Sequence, residues 1–537
     1  MIFDSSYNPY TSRRMMVYGR NGCVAASQPL AAEAGLHILR MGGNAVDAAI
    51  ATAACLTVVE PTSNGIGADA FALVWMGGEL HGLNSSGPAP ASISLDAVKK
   101  LGHEKMPAFG WIPITVPGAP GAWAELSRKF GRLPLLDVLK PAIAHARKGY
   151  PVSPVVGHSW LRAYNGYKAG TSGPEFDEWF RVFAPGGRAP EAGEIWSSPD
   201  HARTLEEIGA TDGESFYRGG LAKKIAEASE AAGGFLAAED LKAFKPEWVK
   251  PISVGYRGYD VWELPPNGQG IVALAALNIL KGYEFSHLES TETAHRQIEA
   301  LKLAFTAGKQ VIADPAYVSK SHVEYLLGDD FAKEARAKMG ERAIVPEPFD
   351  LPKGGTVYLC TADGEGNMVS YIQSSYMSFG SGIVIPGTGI AIQNRGNEFS
   401  LDEGHINRIE GGKRPYHTII PAFLTKGGMP VGPFGVMGGY MQPQGHVQVI
   451  MNTIDFALNP QMALDAPRFC WSENLKVEVE RNFPRHIADG LSSRGHEISV
   501  SLNTWDFGRG QIIWRDNASG ILACGTESRA DGAVLAF

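Results

Sequence analysis

The chain has 537 residues, of which 44% are hydrophobic and 19% are charged, and this composition excludes a disordered or coiled-coil protein. Its formal net charge is −8, so it lacks the basic surface that a binder of nucleic acid or of an anionic membrane needs. We therefore expect no nucleic-acid partner and no membrane partner.

The N-terminal residues MIFDSSYNPYTSRRMM contain no apolar run after a basic start, so they do not resemble a signal peptide. The five cysteines are scattered and include no CxxC pair, which favours neither a disulfide framework nor a zinc site. Both features fit a reducing compartment, and we expect a cytoplasmic protein.

Two consecutive helices are predicted near the N-terminus. The first begins after Ser27 as its N-cap, with Pro29 in its first turn, and stops at Gly42 and Gly43. The second covers residues 45–59, an apolar run too short for a membrane span, with Asn44 as its N-cap. A buried strand over residues 70–76 follows, so the chain mixes α and β structure from its beginning.

The middle of the chain is mainly helical by pattern. Helical patches are predicted at residues 122–129 and 135–148, and apolar residues at helical spacing predict an amphipathic helix over 293–312. Residues 335–355 mix charge, proline and glycine without periodicity, which is typical of a linker or surface loop. The boundary between two parts of the chain is expected there.

The last third is rich in β structure. A hairpin is predicted from strands at residues 356–362 and 368–374. Further strands are predicted at residues 389–393, 419–424 and 476–479, and a helix is predicted at 447–456.

Few motifs of known chemistry occur in the chain. It contains no GxxxxGK[ST], HExxH, EF-hand or GxSxG pattern. Three weaker features remain, each with an ordinary structural alternative. Thr356 follows Gly354-Gly355 where the predicted linker meets a strand, and it could be a structural threonine. Gly438-Gly439 could expose backbone N–H groups to a ligand oxygen or form a tight turn. Arg395 lies among amides and could grip a carboxylate or form an exposed salt bridge.

Six ordered segments that together span nearly the whole chain carry a family resemblance. They are GGNAVDAAIATAACLTVVEPTSNGIGADAF at 42–71, PPNGQG at 265–270, GGTVYLCTADGEGNMVS at 354–370, FGSGIVIPGTGIAIQNRG at 379–396, KRPYHTIIPA at 413–422 and GVMGGYMQPQGH at 435–446. These segments resemble the γ-glutamyltranspeptidase family of N-terminal nucleophile hydrolases. The resemblance implies an α+β fold, a four-layer αββα sandwich, made as one precursor that cuts itself before a threonine.

The family's catalytic positions can be carried over residue by residue. Cleavage would fall between Gly355 and Thr356, giving a large segment, 1–355, and a small segment, 356–537, that together form one domain. Thr356 would be the nucleophile, and its new α-amine would be the base. Ser374 matches the position that hydrogen-bonds the nucleophile, and the Gly438 and Gly439 N–H groups match the oxyanion hole. No metal or organic cofactor is implied.

The substrate pocket departs from the family pattern. Family transpeptidases hold the α-carboxylate of the γ-glutamyl group with the arginine of an R-E-x-A-P motif, whereas this chain reads NSSGPAP at 84–90. The serine pair after KRP becomes His417-Thr418, and an asparagine near the nucleophile becomes Tyr376.

Two further positions, which read the α-amino group in the family, become Arg395 and Glu398 here. We expect Arg395 to replace the lost arginine as a carboxylate clamp. His417 and Thr418 would be polar helpers in substrate binding, and Glu398 would be available to an amine.

The resemblance implies a self-processing threonine amidohydrolase that cleaves a γ-glutamyl or related small amide through an acyl-threonine intermediate. Water or an amine would accept the acyl group, and the altered pocket favours hydrolysis. One alternative is an acylase or amidase for a non-glutamyl acid, such as an oxamate-like or cephalosporin side-chain amide. An alternative of another class is an unprocessed scaffold that binds a carboxylate without turnover. The family also implies a heterodimer of the two segments, with pairing into a heterotetramer left open.

Overall fold

The computed structural model describes residues 14–346 and 354–537. Residues 1–13, which include most of the stretch predicted not to be a signal peptide, and residues 347–353 of the predicted linker lie outside these ranges. The strands are β1 (Val17–Gly19), β2 (Gly22–Ala26), β3 (Asp69–Met76), β4 (Glu79–Ser85), β5 (Tyr150–Pro151), β6 (Ile195–Trp196), β7 (Glu247–Val249), β8 (Ile252–Tyr256), β9 (Tyr259–Glu263), β10 (Gly355–Asp363), β11 (Met368–Tyr376), β12 (Ala422–Lys426), β13 (Met429–Met437), β14 (Phe469–Glu473), β15 (Lys476–Glu480), β16 (Glu497–Ser501), β17 (Arg509–Arg515), β18 (Leu522–Thr526) and β19 (Ala533–Ala536).

The helices lie mainly in the first two thirds of the chain. They are α1 (Pro29–Arg40), α2 (Ala45–Val59), α3 (Leu95–Lys100), α4 (Ala119–Phe130), α5 (Leu135–Lys148), α6 (Pro154–Gly170), α7 (Asp177–Phe183), α8 (Pro199–Ala210), α9 (Glu214–Arg218), α10 (Gly220–Ala231), α11 (Ala238–Ala243), α12 (Gly270–Leu280), α13 (Thr291–Gly308), α14 (Lys320–Leu326), α15 (Asp329–Lys338), α16 (Met441–Ile454), α17 (Pro460–Asp465) and α18 (Arg485–Ser493). None of the helices in the described ranges is both long enough and apolar enough to cross a bilayer.

Two seven-stranded sheets form the centre of the molecule. The first sheet has the order β1-β18-β17-β13-β12-β9-β8, and the second has the order β19-β2-β10-β11-β3-β4-β7. They pack face to face through β10 and β11 against β13 and β17. Helices α1 and α2 cover the outer face of the second sheet, and α12 and α16 cover the first. This is the predicted four-layer αββα sandwich, and the expectation for the fold is confirmed.

Helix α2 shows why the second sheet is so completely enclosed. Every residue of this helix is buried, because it is apolar on all sides and lies between the sheet and helices α1 and α5. Asn44 is the N-cap, as predicted, and forms a reciprocal capping box with Asp47. The cap predicted for α1 is wrong: the side chain of Gln28, rather than that of Ser27, accepts the first backbone N–H groups of the helix.

Two other local predictions need correction. Residues 335–338 belong to helix α15 and are not part of a linker. Residues 389–393 form isolated bridges, Val384 with Ala391 and Gly67 with Ile392, and do not form a strand. The bridge between Gly67 and Ile392 joins parts of the chain that are distant in sequence, so local composition could not reveal it.

Candidate active site

Thr356 lies in strand β10 where the pairing with β11 becomes irregular. Gly355 is opposite Tyr376 and Val357 is opposite Gln373, so two residues of β11 face Thr356 alone. Such an irregularity turns a side chain away from the regular alternation of a strand. Only 1% of the Thr356 surface is exposed. The predicted nucleophile is therefore held inside the sandwich, at the start of a central strand.

The Ser374 hydroxyl connects the Gly355–Thr356 peptide to the rest of the cluster. Its Oγ donates to the carbonyl oxygen of Gly355 at 2.7 Å and accepts from Thr356 Oγ1 at 3.2 Å. Ser374 Oγ also accepts from the backbone N–H of Tyr376 at 2.8 Å and from the Arg395 guanidinium at 3.2 Å. A hydroxyl that donates to a carbonyl polarises it, and this carbonyl is the one that Thr356 would have to attack.

Gly438 and Gly439 form the turn between β13 and α16. Their φ angles of 137° and 58° lie in a region that residues with a Cβ rarely adopt. The two carbonyl oxygens accept bonds from the first N–H groups of α16, whereas the two N–H groups donate to no backbone oxygen in the described part of the chain. A Cβ on Gly354 would lie 3.6 Å from Gly439 Cα. The turn therefore lies beside the peptide that precedes Thr356, as an oxyanion hole requires.

Gln269 holds this turn in place, and sequence reasoning gave it no role. Its Nε2 donates to the carbonyl oxygens of Gly439 at 2.9 Å and Thr418 at 2.6 Å, and its Oε1 accepts from the Tyr416 hydroxyl at 3.0 Å. The side chain is fully buried. The PPNGQG segment, noted only for its resemblance, thus supplies the support between the glycine turn and the 416–418 segment.

Arg395 is a fully buried cation beside the nucleophile. Its guanidinium donates to Thr418 Oγ1 at 2.7 Å and lies over the Tyr376 ring, with Cζ 4.4 Å from the centroid. Burial lowers the pKa of Arg395, and nearby Asp69 and Glu398 oppose that change. Arginine nevertheless keeps its charge in proteins, and Nε has no hydrogen-bond partner among the described residues. The site therefore contains a cation with spare donor capacity, which suits a carboxylate.

Glu398 ends the short 3-10 turn Arg395–Glu398 that also carries the arginine. It is half-buried, and the Tyr440 hydroxyl donates to its Oε2 at 2.8 Å. Burial, together with the nearby Glu398 carboxylate, raises the pKa of the Tyr376 phenol. Glu398 thus places a second carboxylate, besides Asp69, near Arg395, on the same turn as the arginine.

His417 pairs with an acid that sequence reasoning missed. Its Nε2 lies 3.1 Å from Asp69 Oδ2, and its Nδ1 accepts from the Ile419 N–H at 3.4 Å, so the ring proton is on Nε2. Both side chains are fully buried. Burial lowers the pKa of His417 and raises that of Asp69 to about 7, and Arg395 opposes the rise at Asp69. His417 is therefore a neutral partner of Asp69 and has no hydrogen bond to Thr356 or Arg395.

Asp69 had one available signal in the sequence. It is the only charged residue at the start of an otherwise apolar strand, and the antiparallel register places it directly opposite Ser374. That register joins residues about 300 positions apart, so the significance of a charge in GIGADAF becomes clear only in the fold.

The segment that lacks the family arginine is joined to the site by amides. Asn84 Nδ2 donates to Asn267 Oδ1 at 2.9 Å, and Ser86 Oγ donates to Asn84 Oδ1 at 2.7 Å. The Asn267 carbonyl in turn accepts the backbone N–H of His417 at 2.9 Å. This segment is thus held by neutral hydrogen bonds. The cation near the nucleophile is Arg395, which contacts Ser374, the hydrogen-bond partner of Thr356.

Away from Thr356, one group of side chains in the described ranges has the composition of a metal site: His295, Glu299 and His496. The histidines bond to each other at 2.9 Å, and Glu299 Oε1 already accepts from Lys302 Nζ at 2.8 Å. This cluster makes no hydrogen bond to the residues around Thr356. The Lys302 ammonium group already pairs with the Glu299 carboxylate that a metal ion would need, so we assign this cluster no metal.

Four features together define an N-terminal nucleophile hydrolase. They are a buried threonine hydroxyl, a polarised carbonyl just before it, an adjacent glycine turn, and two facing sheets enclosed by helices. The chain belongs to the γ-glutamyltranspeptidase family, because a family model described as Gamma-glutamyltranspeptidase matches residues 31–537. It is an amide-bond enzyme of that family.

Full-length relatives have several activities in their names. The glutathione hydrolase-like YwrD proenzyme of Bacillus subtilis (strain 168) is 36% identical, over 97% of this chain and 99% of its own length. The oxamate amidohydrolase proenzyme of Klebsiella pneumoniae is 32% identical, over 96% of this chain and 98% of its own. The crystal structure of cephalosporin acylase from Bacillus halodurans is 59% identical and aligns with a TM-score of 0.97, over 100% of this chain and 99% of that one.

Proposed function

We propose that this chain cuts itself between Gly355 and Thr356 and then uses Thr356 to hydrolyse small amides whose acyl group carries a carboxylate. The observation that carries the proposal is the shared hydrogen-bonding of Ser374, whose hydroxyl contacts the Gly355 carbonyl, the Thr356 hydroxyl and the Arg395 guanidinium. The peptide to be cut, the nucleophile and a substrate-binding cation thus meet at one oxygen.

Self-cleavage follows from the position of the Gly355 carbonyl. Thr356 Oγ1 attacks this carbonyl carbon, and its proton passes to the departing amide nitrogen, which gives an ester and a free α-amine. Water then hydrolyses the ester and releases the Gly355 carboxylate. The Ser374 O–H bond to the carbonyl oxygen assists by withdrawing electron density from it.

Amide hydrolysis reuses the same groups. The new α-amine of Thr356, with an unperturbed pKa of about 7.7 to 8.0, can take the hydroxyl proton at neutral pH and return it to the leaving amine. The N–H groups of Gly438 and Gly439 are the proposed donors to the tetrahedral oxyanion. Water completes the cycle in preference to an amine acceptor. Because the Gly354–Gly355 end lies against this turn before cleavage, its departure would make room for a substrate.

The position of Arg395 favours a short acyl group. Its guanidinium and the Thr356 hydroxyl lie 3.2 Å from the same Ser374 oxygen, so a carboxylate bound to Arg395 lies close to the acyl carbon. In an oxamate-type amide the carboxylate is bonded directly to the amide carbonyl, whereas three carbons separate them in a γ-glutamyl amide. The name of the oxamate amidohydrolase relative agrees with the shorter class.

A γ-glutamyl amide is the second candidate, and Glu398 favours it. This carboxylate lies on the same turn as Arg395 and could bind an α-amino group while Arg395 binds the α-carboxylate. The name of the glutathione hydrolase-like relative agrees with this class, and that of the cephalosporin acylase with a third, bulkier amide.

The test is hydrolysis of a graded set of amides by the processed enzyme: oxamate, malonamate, succinamate and a γ-glutamyl amide. We expect kcat/KM to fall as carbons are inserted between the carboxylate and the amide. Thr356→Ser should process and hydrolyse more slowly, and Thr356→Ala should do neither. Turnover of these amides by an unprocessed Thr356→Ala chain would contradict the proposal, and binding without turnover by wild type would favour a non-catalytic scaffold.

A further inference from the structure

Two cysteine thiols touch each other across the interface between the two sheets. Cys23 lies in β2 of the second sheet and Cys524 lies in β18 of the first. The Cys23 thiol donates to the Cys524 sulfur at 2.9 Å, although the residues are 501 positions apart in the chain. Both are reduced in the structure, and neither has any exposed surface.

We propose that Cys23 and Cys524 are an oxidative modification site, at which a small-molecule disulfide converts the thiol pair into a disulfide that joins segment 1–355 to segment 356–537. The inference goes beyond the proposed amidase activity and does not depend on it, because neither thiol contacts the Thr356 cluster.

The geometry brings the pair close to bonding distance. A disulfide has an S–S length of about 2.05 Å, so the two sulfur atoms need to approach by less than about 1 Å. Strands β2 and β18 already pack with Cα atoms within 8 Å of each other. Cys23 is opposite Ala362 and Ala536 in its sheet, so its partners on both adjoining strands have small side chains.

A third buried cysteine lies nearby but is positioned differently. Cys360 lies in β10, opposite Ala25 of β2, and it interacts with the Tyr358 hydroxyl. Burial raises the pKa of Cys360 and of Cys23, so little thiolate is present at neutral pH and exchange is expected to be slow. The contact at 2.9 Å selects Cys23 and Cys524 as the bonding pair.

The chemical step balances as ordinary thiol–disulfide exchange. One cysteine, as a thiolate, attacks the small disulfide and releases one thiolate, leaving a mixed disulfide on the protein. The second cysteine attacks the protein sulfur of that mixed disulfide and releases the other small thiolate. Two cysteine protons go to solvent, the cysteine pair is oxidised, and the small disulfide is reduced to two thiols.

Access to the pair requires only local opening. Both strands are second from the edge of their sheets, next to the terminal strands β1 and β19. Edge strands open more readily than central ones, so an oxidant can reach the thiols without global unfolding. Since the bond would join the two segments, the cleaved enzyme would then withstand dissociation of its fragments.

The experiment uses the full-length protein, reduced and then incubated with oxidised glutathione at pH 8. After the remaining thiols are alkylated, unreduced proteolytic peptides are analysed by mass spectrometry. We expect a peptide pair linked through Cys23 and Cys524, a loss of two hydrogens per chain, and no such pair in Cys524→Ala. On a denaturing gel run without reductant, cleaved wild-type protein should run as one species that splits only after reduction.

Matched controls separate this proposal from other outcomes. Cys55→Ala removes another buried cysteine, in helix α2, and should leave the cross-link unchanged. Cys360→Ala should also retain it. A linkage through Cys360, or recovery of Cys23 and Cys524 only as alkylated thiols or glutathione adducts, would overturn the proposal. The linked peptide forms whether or not the chain is cut, so failure here is distinct from failure of self-cleavage.

Discussion

At the scale of single residues, we propose that Arg395 selects the substrates that the site accepts. It is a buried cation whose contacts to Ser374 and Thr418 leave Nε without a partner in the described structure. We expect Arg395→Met to lower kcat/KM for oxamate roughly 10- to 100-fold, because a charge-assisted hydrogen bond contributes about 1.5 to 3 kcal/mol. Most of the change should be in KM, measured by steady-state kinetics.

A neutral acyl amide without a carboxylate provides the internal control for this variant. Its hydrolysis should change little in Arg395→Met. Arg414→Met is the matched control variant, because Arg414 donates to the Ser86 carbonyl and pairs with Glu247 without contacting Ser374. Equal losses on the charged and neutral amides would show that Arg395 supports the fold of the site and does not bind substrate.

Asp69 makes the stability of the protein depend on pH. Its pKa is raised to about 7, mainly by burial, from about 3.9 in an unfolded chain. The folded state therefore holds the proton more tightly, so this stabilisation is complete below about pH 4 and is lost as pH rises through about 7. Asp69→Asn cannot ionise, and we expect its Tm relative to wild type to be higher at pH 8 than at pH 5.

Differential scanning calorimetry at both pH values measures this difference. The exposed residue Asp96 supplies the control, because Asp96→Asn should shift Tm by a similar small amount at pH 5 and pH 8. If the difference in Tm between Asp69→Asn and wild type were the same at pH 5 and pH 8, Asp69 would be ionised throughout this range, with its charge stabilised by Arg395.

At the scale of elements, the glycine turn after β13 requires its unusual backbone. A Cβ on Gly438 would lie 3.2 Å from Gly508 Cα, and its φ of 137° is already unfavourable for alanine. Gly438→Ala should therefore displace the proposed oxyanion donors and lower kcat by roughly 10²- to 10³-fold.

The turn between β12 and β13 offers a control for that variant. Gly428 has a φ of 76°, and a Cβ there would meet nothing within 4 Å. Gly428→Ala should cost about 1 kcal/mol of stability through its backbone alone and leave kcat unchanged. If both variants retain the wild-type kcat, the turn is structural.

Local sequence patterns predicted several helices and strands well. The site residues that they did not predict are brought together by contacts between distant parts of the chain. Asn44 and the apolar run after it, in which Asp47 is the one charged residue, define α2, because capping and local composition act within a few residues. Thr356 could be located only through the family resemblance, since a threonine after two glycines is unremarkable by itself. Strand register and sheet packing bring together two pairs that no local pattern predicts. These pairs are Asp69 with His417 and Cys23 with Cys524.

At the scale of the whole molecule, the two segments on either side of Thr356 both contribute strands to each central sheet. Each seven-stranded sheet contains strands from both: β1, β8 and β9 join the small-segment strands of the first sheet, and β2, β3, β4 and β7 join those of the second. Cleavage at residue 355 would therefore cut one continuous fold, and the products should remain associated.

Intact-mass spectrometry of the purified protein beside Thr356→Ala tests self-cleavage by the threonine nucleophile most directly. Under denaturing and reducing conditions, wild type should give two species whose masses match residues 1–355 and 356–537, and Thr356→Ala should give one full-length species. Ser374→Ala should be cut more slowly, because it loses the bond to the Gly355 carbonyl. A wild-type chain that stays whole after prolonged incubation, or one cut at another peptide bond, would contradict a Thr356 nucleophile.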